Sequence, residues 1–133
     1  MSIPRFWREI DQRYNLKGVK CGNCGHHFFP ARTMCSACRH ESIGKLAPVT
    51  FSGNGTVETC SVVHNGPAGF EDQTPYVMAI IKLDEGPRIT AQIVDCAPDQ
   101  VGIGTRVRKV FRRINEEGDA GVIHYGYKFA VQA

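Results

Sequence analysis

Apolar residues near the start of the chain, Ile3, Phe6, Trp7, Ile10 and Tyr14, recur every three or four positions, the repeat that lines side chains along one side of an α-helix. Ser2 stands where an N-cap belongs and Pro4 fits a first turn, so the pattern predicts one helix beginning at Ile3. A helix of about a dozen residues is marginal by itself. Its stripe carries the chain's only Trp and needs cover, from the rest of the chain or from another protein.

From Val49 onward the period shortens to that of strands. Val49 to Phe51 and Gly55 to His64 read as one long strand, bent where Gly53-Asn54-Gly55 permits a bulge or corner. Tyr76 to Leu83 and Arg88 to Val94 form a hairpin about the turn Asp84-Glu85-Gly86-Pro87. Residues 96 to 105 connect onward through a short helical turn to a strand from Arg106 to Ile114. A final strand, His124 to Val131, puts Tyr125, Tyr127, Phe129 and Val131 on one face. Five strands, the first of them bent, predict a small Greek-key barrel. Glu41 to Pro48 reads as a linker before it. His64 to Thr74 is a loop long enough to suggest a functional or partner-binding role.

Composition narrows the class. At 133 residues the chain has room for one modest domain beside a small metal-bound module. With 42% hydrophobic and 22% charged residues it is an ordinary globular composition. No run approaches the roughly 20 apolar residues of a membrane helix. The first residues lack an apolar signal core, which predicts a cytoplasmic setting. A net charge of +3 does not by itself call for nucleic acid.

Between helix and barrel, Cys21-Gly22-Asn23-Cys24-Gly25 is followed by Cys35-Ser36-Ala37-Cys38. Two thiolates on one tight turn grip a metal ion together, and a second such turn completes a tetrahedron, so the spacing is that of a zinc ribbon. Two disulfides or a metal-free ribbon are the alternatives, and iron suits the same geometry. Four thiolates and one dication sum to a charge of about −2, which Lys17, Lys20, Arg32 and Arg39 are positioned to offset. His26, His27 and His40 are read as neighbours of the ligands rather than ligands. The chain thus divides into a helix (1–17), a ribbon (18–42) and a β domain (43–133). Loss of the metal is expected to unfold the ribbon and spare the barrel.

No catalytic constellation stands out. Cys60 and Cys96 have no recognisable base nearby and read as buried structural thiols, and His64 and His124 are isolated. Arg106, Arg108, Lys109, Arg112 and Arg113 make one strand basic, but alternation divides them between two faces. That strand suits single-stranded nucleic acid, the phosphates of coenzyme A or plain solvent.

The order of the pieces resembles the DUF35 family. The likeness rests on the Phe6-Trp7 helix, Cys21 to Gly25, Pro30-Ala31-Arg32 through Cys38, Gly53 to Val57, Pro75-Tyr76-Val77, and Val101 to Gly104 followed by the basic strand. The resemblance implies a mainly β fold: an N-terminal helix, a rubredoxin-like zinc ribbon, then a five-stranded OB-fold barrel associated with acyl-CoA. It further implies Zn2+ on Cys21, Cys24, Cys35 and Cys38, and no turnover by the chain itself. For a chain like this one it implies an accessory scaffold, archaeal in type, bridging acetoacetyl-CoA thiolase and HMG-CoA synthase in the mevalonate pathway. Phe6, Trp7 and Ile10 are then the candidate partner contacts, and Arg106, Arg108 and Lys109 the candidates for coenzyme A phosphates. A nucleic-acid-binding OB and ribbon protein is the alternative.

Overall fold

The computed structural model describes residues 3 to 132, so the cap expected at Ser2 lies outside the described residues. Where one helix was expected there are two, α1 (Ile3–Arg8) and α2 (Ile10–Asn15), separated by an irregular Glu9 at φ −104°, ψ 14°. The break divides the apolar stripe. Phe6 is buried, its ring meeting His124 at 4.5 Å and Tyr14 at 6.0 Å, while Trp7 is 73% exposed. The chain therefore supplies cover for part of the stripe only.

Leu16 ends α2 in the left-handed conformation at φ 53°. That geometry costs about 1–2 kcal/mol for a residue with a Cβ. Burying a leucine side chain gains about 1.5–3 kcal/mol, and Leu16 is fully buried. The turn thus drives Leu16 into the core, and the Lys109 ammonium donates to the freed Asn15 carbonyl at 3.2 Å.

Strand β1 (Lys17–Cys21) is central in a three-stranded antiparallel sheet, between β2 (His27–Phe28) and β3 (Leu46–Thr50). The reading of 46–48 as linker, and of 49–51 as the start of the first barrel strand, is corrected here. Pairing runs from Lys17 opposite Thr50 to Cys21 opposite Leu46, so β3 belongs to the ribbon sheet. On its other side β1 has only the two-residue β2, and without β3 most of its backbone groups would lack partners.

The barrel comprises β4 (Asn54–Val63), β5 (Tyr76–Leu83), β6 (Arg88–Val94), β7 (Arg106–Glu116) and β8 (Ile123–Val131). They close in the order β4-β5-β6-β8-β7, with β6 and β8 parallel through Ile93 opposite Phe129. The corner before β4 falls at Gly53, φ +85°, where an added Cβ would lie 2.4 Å from the Lys109 side chain. A bulge follows between Val57 and Thr59. The short helical turn expected in the connector is Pro98–Gln100. No helix among the described residues is long and apolar enough to cross a membrane.

Alternate residues of β5 (Val77, Ala79, Ile81, Leu83) and β6 (Ile89, Ala91, Ile93) point into one core with Val57, Val107 and Phe129. Leu16 and Phe51 belong to the same cluster, and Phe29 and Val49 of the ribbon pack on it. Phe51 fits because residue 18 is glycine: a Cβ there would stand 2.6 Å from the Phe51 ring and 2.1 Å from the Phe28 carbonyl oxygen. Ribbon and barrel share one hydrophobic core. Phe51→Ala should cost about 3–5 kcal/mol of unfolding free energy. Gly18→Ala should also destabilise, and urea melts followed by ribbon and barrel probes should move together for both variants.

Candidate metal centre

The sulfur atoms of Cys21, Cys24, Cys35 and Cys38 all lie within 4.8 Å of one another. Zinc–sulfur bonds of about 2.3 Å in a tetrahedron fit sulfurs so spaced, and the donor set leaves no open position for substrate. Two matching turns produce this. Gly25 N–H donates to the Cys21 carbonyl at 2.9 Å, and Arg39 N–H to the Cys35 carbonyl at 2.8 Å. The fifth residue of each turn is left-handed, Gly25 at φ 82° and Arg39 at φ 54°.

Neighbouring donors define the environment of the sulfurs. The Cys24 backbone N–H, aided by that of Asn23, holds the Cys21 thiol down at about 7. At Cys24 the His26 backbone N–H pulls the pKa down, but burial and the sulfurs of Cys35, Cys38 and Cys21 outweigh it and push the thiol up to about 12. The Cys24 thiol thus holds on to a proton that a bound dication displaces. Asn23 Nδ2 lies 3.1 Å from Cys38 Sγ, and His26 Nδ1 lies 3.1 Å from Cys24 Sγ, so His26 is a neighbour of the ligand set. Fully buried Ser42 accepts the Cys35 N–H at 2.8 Å and donates to the Arg39 carbonyl, anchoring the second turn. Asn23 and Ser42 drew no attention in the sequence; the one available signal was an amide side chain inside the first Cys-x-x-Cys.

Two residues expected to offset the cluster's charge are engaged elsewhere. Lys17 pairs with Asp11 at 2.9 Å, and Arg32 lies over the Phe28 ring at 5.1 Å. Amide donors around the sulfurs take over part of that duty.

The basic strand does not gather into a cluster. Arg106 makes a two-pronged contact with Asp84 at 2.8 and 3.0 Å, Arg112 meets Asp95 at 2.6 Å, and Arg113 lies 3.5 Å from Glu116. Lys109 caps α2, which leaves Arg108 exposed without an ion pair among the described residues. Of the three partner candidates on the first helices, Phe6 is buried, Ile10 half-buried and Trp7 exposed. Cys60 lies in a strand as expected, yet it is exposed rather than buried, because β4 past its bulge runs out along the barrel edge.

A closed four-thiolate site on a three-stranded ribbon, joined through a common core to a five-stranded barrel of OB order, defines a zinc-ribbon and OB-fold protein. Models for the ChsH2 rubredoxin-like zinc ribbon domain and the ChsH2 C-terminal OB-fold domain match residues 8–43 and 48–112. The chain is 55% identical to a DUF35 domain-containing scaffold protein of Methanocaldococcus jannaschii, over 96% of this chain and 89% of that one. It is 32% identical to benzoylsuccinyl-CoA thiolase subunit BbsA of Thauera aromatica, over 86% of this chain and 74% of the other. A solved structure described as an Ltp2-ChsH2(DUF35) aldolase superposes with a TM-score of 0.69 at 28% identity, covering 95% of this chain and 90% of that one. The chain belongs to the DUF35 family.

The shared core alters the expectation that metal loss spares the barrel. Cys35→Ser should release the zinc and also lower the unfolding midpoint of the barrel. Chelator-coupled zinc release and barrel circular dichroism, followed in one thermal scan, should then report a common transition. A barrel melting unchanged after zinc loss would restore the independent-domain picture.

Proposed function

We propose that the chain is a non-catalytic accessory subunit that holds acetoacetyl-CoA thiolase and HMG-CoA synthase in one complex of acyl-CoA metabolism. The observation that carries this reading is its likeness, over nearly the whole chain, to a protein named as a scaffold. Its likeness to a thiolase subunit and to an aldolase assembly supports a partner of CoA-thioester chemistry. The choice of these two enzymes rests on the family resemblance drawn from the sequence.

The chemistry of the chain agrees with this role. Its metal site has four protein ligands, the arrangement of a structural site. Burial, followed by the charge of Asp95, raises the Cys96 thiol, away from the reactive thiolate. Among the described residues neither Cys60 nor Cys96 has a histidine or carboxylate within hydrogen-bond reach, as a nucleophile requires. Nucleic-acid binding loses support because Arg106, Arg112 and Arg113 already face carboxylates.

Two surfaces suit protein contacts. One is Trp7 with exposed Ile3 beside it on α1. The other is β4 from Thr59 to Val62, which is exposed and pairs on one side only, with β5. The gain from bridging is kinetic: condensation of two acetyl-CoA molecules is unfavourable, and confinement raises the acetoacetyl product's local concentration at the consuming enzyme.

Reconstitution from the three purified proteins tests the proposal. The two enzymes should co-purify and convert acetyl-CoA onward faster only when this chain is present; equal co-purification and flux without it would end the scaffold reading. Trp7→Ala should weaken assembly by about 2 kcal/mol or more. The variant's own melting temperature should stay put, because Trp7 packs on little within the chain.

A further inference from the structure

The outer face of β8 holds two polar side chains away from solvent, His124 at 2% and Lys128 at 6% exposure. Residues of α1 and α2 border this face on one side, and the loop between β4 and β5 borders it on the other. Between them runs a groove of about 730 Å³, a volume suited to a small organic molecule. Lys128 lines it, as do Phe70, Tyr76 and Met78.

Lys128 lacks a charge partner among the described residues. Among the described residues no carboxylate lies within ion-pair distance of it, and its ammonium donates only to the Gln73 side-chain oxygen at 3.1 Å. That oxygen also accepts from Gln92 Nε2 at 3.2 Å. An ammonium carries three N–H donors, so one neutral and shared acceptor leaves most of its capacity unused. Burial, and after it the like charge of Arg112, lowers the Lys128 pKa. The carboxylate of Glu9 at the groove wall is held by Arg13 at 3.1 Å, so it does not neutralise the floor. An unpaired buried cation costs several kcal/mol. Nothing among the described residues offsets that cost, whereas an anion in the groove does.

The walls specify more than charge. Phe70 and Tyr76 stand 6.2 Å apart with their planes tilted, and Met78 lies along the same groove. A bare inorganic ion leaves this surface uncovered. The geometry points to a binding site for a small organic acid with an apolar body, its carboxylate held by Lys128 and its body against Phe70 and Tyr76. The loop singled out in the sequence then has a task, since it contributes Phe70 and, from the turn Glu71–Gln73, the amide that orients Lys128. That turn is already braced by the Gly69 N–H on Glu71 Oε2 at 2.8 Å and by the Thr74 hydroxyl on the Glu71 carbonyl. This site does not depend on the bridging role.

Calorimetric titration of the zinc-loaded chain tests it, with 4-phenylbutyrate as the acid, 4-phenylbutanol as its uncharged match and inorganic phosphate as an anion without a body. The acid should bind about tenfold or more tightly than the alcohol, as a charge-assisted hydrogen bond implies. Phosphate at the same concentration should not displace it, and Lys128→Met should reduce the acid to the alcohol's affinity. Equal affinities, undiminished binding by Lys128→Met, or displacement by phosphate would each overturn the site. If Lys128→Met does not fold, the Lys128 Cε resonance of labelled wild-type protein decides. It should shift on adding the acid and stay still with the alcohol, and an unmoved resonance with bound acid would place the ligand elsewhere.

Discussion

The contact on which the rest of this molecule depends is the Phe51 ring lying over Gly18. A five-stranded barrel is small, and on its own it buries too little surface to be secure. Phe51, just past the ribbon's last strand, fills space that Gly18 leaves empty, and it belongs to the same apolar cluster as Leu16, Ile81 and Phe129. The metal fixes the two turns, the turns fix β1 and β3, and these strands deliver Phe51. A bound ion thereby contributes to the packing of a barrel it does not touch.

The convergence of the four cysteines on one metal-sized site was legible, because Cys-x-x-Cys pairs bring their own local geometry. The barrel strands were legible nearly as well: β5 and β6 alternate cleanly, and Val77, Ala79, Ile81 and Leu83 all face inward. Two things were not. Strand β3 was hidden because period-2 alternation names a strand without naming its neighbour, and only the pairing of Thr50 with Lys17 assigns it to the ribbon. The split of the first helix was hidden because a stripe at helical spacing does not reveal that Phe6 turns inward and Trp7 outward. His124 and Lys128 lie on the face of β8 opposite Phe129, and nothing within the strand itself marks them as buried. They are dry because α1, α2 and a loop arrive over them from far away in sequence.

Strand β7 shows how a basic segment becomes a rigid surface. Arg106, Arg112 and Arg113 each meet an acidic residue, Asp84, Asp95 and Glu116, and Lys109 secures the end of α2. Each exposed pair is worth little alone. Together they hold long side chains in place and quench a charge pattern that would otherwise attract polyanions.

The bare stretch of β4 carries a different implication. From Thr59 to Val62 it has no charge and no proline, and among the described residues it pairs with no strand but β5. Strand edges of this kind are sticky toward any other free edge, and proteins ordinarily guard them with lysine, proline or a covering loop. Surplus copies of this chain therefore have a route to associate with one another, edge to edge, through the same backbone groups that pair strands within the barrel.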